Sequence, residues 1–161
     1  MGTDIHMHLE YRSRKKNGYE YGGILRGERN YNMFEIMALG EVGSDDEALY
    51  PVRGLPCDVT QATYREYILW GSDAHHVSWL TTIEFASCIV EAYRRMNSYE
   101  ALVFYKQYED LFRKIDLLLD RNAKKAKQND DSLMSYKNIL SIMLDYEKYD
   151  GLCRVVFWFD N

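Results

Sequence analysis

Proline and cysteine are scarce: two prolines, Pro51 and Pro56, and three cysteines, Cys57, Cys88 and Cys153, in 161 residues. The cysteines are odd in number and show no CxxC spacing, which argues against a disulfide framework and leaves buried free thiols as the expectation. A basic excess is also missing. The net charge is −5, so the broad electrostatic footprint of a duplex-DNA binder is absent. No apolar run approaches the length of a membrane span, and Asp4 and His6 interrupt the start where a signal peptide would be apolar. The expectation is a cytoplasmic protein with no membrane partner. There are no internal repeats and no low-complexity segments.

Aromatic residues are plentiful at 14%, with fourteen tyrosines, against an ordinary hydrophobic share of 47%. Tyrosine joins an apolar body to a polar tip and suits half-buried surfaces and binding faces. A chain of this length fits a single domain, 1–161, able to bury a core without disulfide or metal staples.

The first informative stretch is TDIHMHLEY, Thr3 to Tyr11. As a strand it places Ile5, Met7, Leu9 and Tyr11 on one face and Asp4, His6, His8 and Glu10 in a row on the other. Such a row can bind a divalent metal, relay a proton or face water. Asn17-Gly18 signals a hairpin turn, with Arg12, Arg14, Lys15 and Lys16 as a solvated tip. Tyr19 to Arg26 returns as a second strand, and Gly22-Gly23 marks a bulge or an edge. Residues 30–39 carry Tyr31, Phe34 and Met37 or Ala38 at helical spacing before Gly40. The irregular stretch that follows holds both prolines and Arg53-Gly54-Leu55-Pro56. There Arg53 is either an anion contact or a solvated turn residue.

A short helix is expected over Ala62–Trp70. The second informative stretch, WGSDAHHVSWLTTIE, ends in a capping box, Thr81 with Glu84, so a helix runs from about Thr82 to Met96. This spacing leaves Asp73, His75, His76 and Ser78 in a loop leading to a helix N-terminus, where anions are favoured and a histidine tends to stay neutral. A long helix from about Tyr99 to Lys127 carries the seam Ala101, Tyr105, Tyr108, Phe112, Ile115, Leu119. A second helix carries Leu133, Tyr136, Leu140 and Met143. Together they read as an antiparallel helical hairpin that could also pack against a second copy. The last strand, Leu152 to Phe159, is expected to pair beside the first and to bring Arg154 or Asp160 to the polar row. The fold class is α+β: a small mixed or antiparallel sheet from N- and C-terminal strands with inserted helices.

All four histidines lie in Asp4-x-His6-x-His8 and Ser72-Asp73-Ala74-His75-His76. A zinc, manganese or iron ion held by Asp4, His6, His8, Asp73 and His75 would lower the pKa of a bound water for attack on a phosphoester. Without a metal, His6 and His75 can act as an acid–base pair, with Arg53, Ser78 and the helix N-terminus on the phosphate. The same groups, with Arg154, can also hold an anionic, nucleotide-like ligand without cleaving it, while Trp70, Trp79 or Trp158 stacks on a base. The bland alternative is a solvated strand face beside core aromatics.

The short DxHxH and SDAH fragments resemble the PHP-type metal phosphoesterases. This chain is too short for that family's barrel, and none of its ligands carries over. A wider resemblance runs through Gly2 to His6 (G-x-DIH), Arg29 to Phe34 (RNY-x-x-F), Arg53 to Pro56 (RGLP), Asp73 to Thr81 (D-x-H-x-x-SWLT) and Val156 to Asn161 (VFWFDN). These motifs are similar to those of an uncharacterised family of small bacteriophage and prophage proteins. The resemblance implies phage origin and a site in the host cytosol. That context suggests an accessory protein that counters host defence, either by binding or hydrolysing a nucleotide-like ligand or by inhibiting a host protein.

Overall fold

The computed structural model describes residues 2–39, 48–96, 100–113 and 131–161. The architecture is α+β. Four strands, β1 (Asp4–Ser13), β2 (Glu20–Leu25), β3 (His75–Thr81) and β4 (Gly151–Asp160), form an antiparallel sheet in the order β2-β1-β4-β3. The helices described are α1 (Tyr31–Phe34), which runs on as a π-helical turn over Glu35–Leu39, α2 (Gln61–Trp70), α3 (Thr82–Arg95), α4 (Glu100–Gln107), α5 (Glu109–Phe112) and α6 (Met134–Asp150).

The first and last strands are the central pair. They run side by side from Asp4 opposite Asp160 to Ser13 opposite Gly151. Alternation then sorts their side chains. Met7 and Leu9 of β1 and Cys153, Val155, Phe157 and Phe159 of β4 are buried in the same core cluster as Phe85, Ala86 and Ile89 of α3 and Tyr136, Leu140 and Met143 of α6. The core layer thus lies on one face of the sheet. Burial pushes the Cys153 thiol up to about 12, with Glu147 adding to the effect, and raises that of Cys88 as well, so both are protonated packing groups. Cys57 departs from the expectation of three buried thiols, for it is exposed.

The hairpin forms as its turn residues require, and Gly22 is the extra residue where the β1–β2 register shifts. Asn30 caps α1 by accepting the Met33 amide. The Thr81–Glu84 capping box is present in both directions and starts α3. Two expectations change. Residues 75–78 are not a loop: His75–Thr81 is a strand that runs straight into α3, with no linker between strand and cap. The expected helix over 99–127 is interrupted at Tyr108 between α4 and α5, and its continuation through Ile115, Leu119 and the lysines lies outside the described residues. Among the described residues, no helix is long and apolar enough to cross a membrane.

Candidate functional site

Beyond Asp4, which is exposed, the polar row of β1 is not a solvated face. Register places Asp4 opposite Asp160, His6 opposite Trp158, His8 opposite Val156 and Glu10 opposite Arg154, and His8, Glu10, Arg154, Val156 and Trp158 are all buried. The cover comes from α2 and the segment before it: Tyr67 meets Trp158 edge-on and Trp70 lies against His6.

At the inner end, Arg154 is fully engaged. Its guanidinium contacts Glu10 at 2.6 and 2.8 Å and Asp58 at 2.7 Å, while the Tyr19 ring lies 3.6 Å from it. The other Glu10 oxygen accepts the Thr60 amide at 2.7 Å. Arg154 is therefore a structural tie between β4, β1 and the 58–60 segment, with its donors spent on carboxylates rather than offered to a ligand.

Arg53 is committed in the same way. It forms a two-pronged pair with Glu84 at 2.6 and 2.8 Å and donates to the Trp79 carbonyl, with its guanidinium 4.6 Å from the Trp79 ring. Ser78 is buried and accepts the Arg53 amide. The N-terminus of α3, expected to attract an outside anion, is filled by its own Glu84 and Thr81. Burial alone would raise the Glu84 carboxyl, but the Arg53 and Thr81 hydrogen bonds outweigh it and hold the group below the usual carboxylate range. A depressed carboxyl stabilises the fold fully above its unfolded value and stops doing so as pH falls through its folded value. Arg53→Met should cost about 1.5–3 kcal/mol at pH 7. The gap between variant and parent in urea midpoints should narrow as pH falls toward 3; a gap that stays constant would assign the loss to packing alone.

The expected pairing of His6 with His75 does not form. Unbroken alternation from Ser78, which pairs with Phe157, would put His75 on the same face as His6. A bulge between His75 and Ser78 moves His75 opposite Phe159 instead, on the core face of the sheet. His76 takes a left-handed φ of 49° there, and the two histidine Nδ1 atoms lie 2.7 Å apart. Asp73 sits in the exposed turn after α2, and Asp4 is paired with Arg29 at 2.7 Å. Asp4, His6, His8, Asp73 and His75 thus do not converge, and no group of three or more His, Cys, Asp or Glu among the described residues is placed to hold a metal ion. The residues do not fit the expected zinc, manganese or iron site.

What does converge is a cleft of about 420 Å³ where the start of β1, the end of β2 and the end of α2 meet. Its chemistry comes from His6, His8, Trp70, Arg26, Arg29 and Glu66. The His6 and Trp70 rings are 4.0 Å apart, and His8 stacks on Trp158 at 4.8 Å. His8 Nδ1 is 3.0 Å from the Tyr21 hydroxyl. Burial, aided by His6, holds His8 below the usual histidine range despite the opposing pull of Glu66 and Glu10, so its neutral form is favoured. His6 Nε2 is buried 3.3 Å from the Asp160 carboxylate, near enough for attraction between charges but outside hydrogen-bonding geometry. Arg26 is exposed and has no carboxylate partner among the described residues.

The sequence pointed to His6, His8 and Asp4 but missed Arg26, Arg29 and Glu66. The signal for Asp160 was present, since strand pairing alone sets it beside the polar row. Compared with known proteins, the chain matches no family model, no curated protein and no solved structure.

Proposed function

We propose that this protein binds a small nucleotide-like ligand, a planar ring carrying phosphate, in the cleft between β1, β2 and α2. One observation carries the reading: a wall of packed rings, with His6 tilted against Trp70 at 4.0 Å and His8 stacked on Trp158 at 4.8 Å, borders a cleft that also contains Arg26, an arginine with no carboxylate partner among the described residues. Rings accept a base by stacking, and a guanidinium without a carboxylate keeps its donors for a phosphate. The motif resemblance to phage proteins adds context, a role in sequestering a host signalling nucleotide.

The test is calorimetric titration with AMP and with adenosine. AMP should bind at least tenfold tighter than adenosine, Arg26→Ala should erase that difference, and Trp70→Ala should weaken both ligands. The reading is overturned if AMP, ADP and cyclic AMP all fail to bind at millimolar concentration. A second reading, a protein-binding inhibitor, is favoured by the outer side of α2, where Tyr64, Ile68 and Leu69 are exposed, the last to 79%. The two part at Arg26, which matters to a nucleotide and not to a protein docked on α2.

A further inference from the structure

We propose that the same cleft hydrolyses a phosphodiester without a metal, with His8 as general base, His6 as general acid and Asp160 as the residue that positions His6. This rests on the nucleotide-binding reading above. His6 and His8 are same-face neighbours on β1, and two residues of extended chain separate such side chains by roughly 6.5 Å, a span that brackets one phosphate. Both rings pack on Trp158 and both line the cleft.

The two imidazoles are differentiated. His8 Nδ1 is occupied by the Tyr21 hydroxyl, which leaves Nε2 as its reacting nitrogen, and burial favours the neutral ring that a base requires. His6 turns Nε2 toward Asp160, which leaves Nδ1 for the substrate and supplies a counter-charge for an imidazolium. Two titratable groups in unlike surroundings are the usual mark of a base and an acid. Asp160 is itself held in place, since one of its oxygens accepts the Asp4 amide at 3.1 Å while the other faces His6.

The step balances with water as the only co-reactant. His8 Nε2 takes a proton from water as the water oxygen forms the new bond to phosphorus. The bond from phosphorus to the leaving oxygen breaks, and its electron pair takes the proton from His6 Nδ1. Solvent then removes the proton from His8 and returns one to His6. Arg26, at the rim of the cleft, is available to the phosphate oxygens that gain charge.

The experiment incubates the intact protein in EDTA with 2′,3′-cyclic AMP, 3′,5′-cyclic AMP and the dinucleotide ApA, with products read by mass spectrometry and AMP binding measured in parallel. At least one of the three is expected to be cleaved. His6→Asn and His8→Asn should each lower the rate at saturating substrate 100-fold or more. Because His8 is buried and its variant can fail to fold, the better exposed His6 variant carries the test independently. Asp160→Asn should lower kcat about tenfold with KM unchanged, a split that general loosening of the sheet would not produce. If AMP binds and none of the three is cleaved, or if His6→Asn keeps full rate, the hydrolytic assignment is overturned and the binding reading stands. If AMP, ADP and cyclic AMP all fail to bind at millimolar concentration, the reading beneath it falls.

Discussion

Arg154→Met lowers stability by about 3–5 kcal/mol, because it leaves the Glu10 carboxylate buried without its partner. Glu10 has 0% side-chain exposure and Arg154 has 4%, so water cannot replace the lost guanidinium at this place. Glu10→Gln is expected to cost less. Arg154 would still hold Asp58, whose side chain is half-exposed, and the glutamine oxygen can still accept the Thr60 amide. The double variant Glu10→Gln, Arg154→Met should then recover most of the loss, since it removes both charges while keeping the amide acceptor. Urea unfolding of the three variants and the parent makes the comparison. A loss below about 1 kcal/mol for Arg154→Met would mean that the pair contributes little beyond its own desolvation cost.

Gly151→Ala is the second large effect. Gly151 joins α6 to β4 at a φ of 139°, and a Cβ placed on it would lie 2.1 Å from the Arg12 carbonyl oxygen. A backbone conformation that L side chains rarely adopt costs about 1–3 kcal/mol. The clash is with the backbone of the neighbouring central strand, so relief requires the β1–β4 pairing to shift, which adds about 1–3 kcal/mol more. Gly18→Ala is the control. Gly18 has a φ of 96° but nothing within 4 Å of the added carbon, so only the conformational cost of about 1–2 kcal/mol applies. Melting temperatures of the two variants should separate widely; equal shifts would show that the close approach at Arg12 is relieved without cost.

The sheet was legible because its signals are local. Alternation in Asp4–Tyr11 and Leu152–Phe159 named both central strands and their faces, and Thr81 with Glu84 named the start of α3. The site was less legible because its decisive facts are partner choices across long separations. Arg53 looks like an anion contact until Glu84, 31 positions on, takes both its prongs, and Arg154 until Glu10, 144 positions back, does the same. His75 was lost to His6 by one extra residue in β3, which changes its face and leaves no trace in composition. The strand character of His75–Thr81 was hidden because it ends directly on a helix cap, and a cap is ordinarily preceded by a loop. Arg26 and Trp70 belong to different elements, and only the seating of α2 on the sheet makes them neighbours.

The central pairing of β1 with β4 bears on how the chain reaches this state. The hydrogen bond from the Asp4 amide to Asp160 spans 156 positions, so the middle of the sheet is its least local part. On a ribosome β1 and β2 emerge well before β4, and an isolated hairpin is marginal in water. Its apolar row, Ile5, Met7 and Leu9, stays without its main partner until β4 is made. Closing so large a loop is slow, and through that interval an unpaired strand edge beside apolar side chains is open to other chains. The basic tip of the hairpin, Arg12 to Lys16, lies at the end of that exposed edge, where charge discourages edge-to-edge association during synthesis.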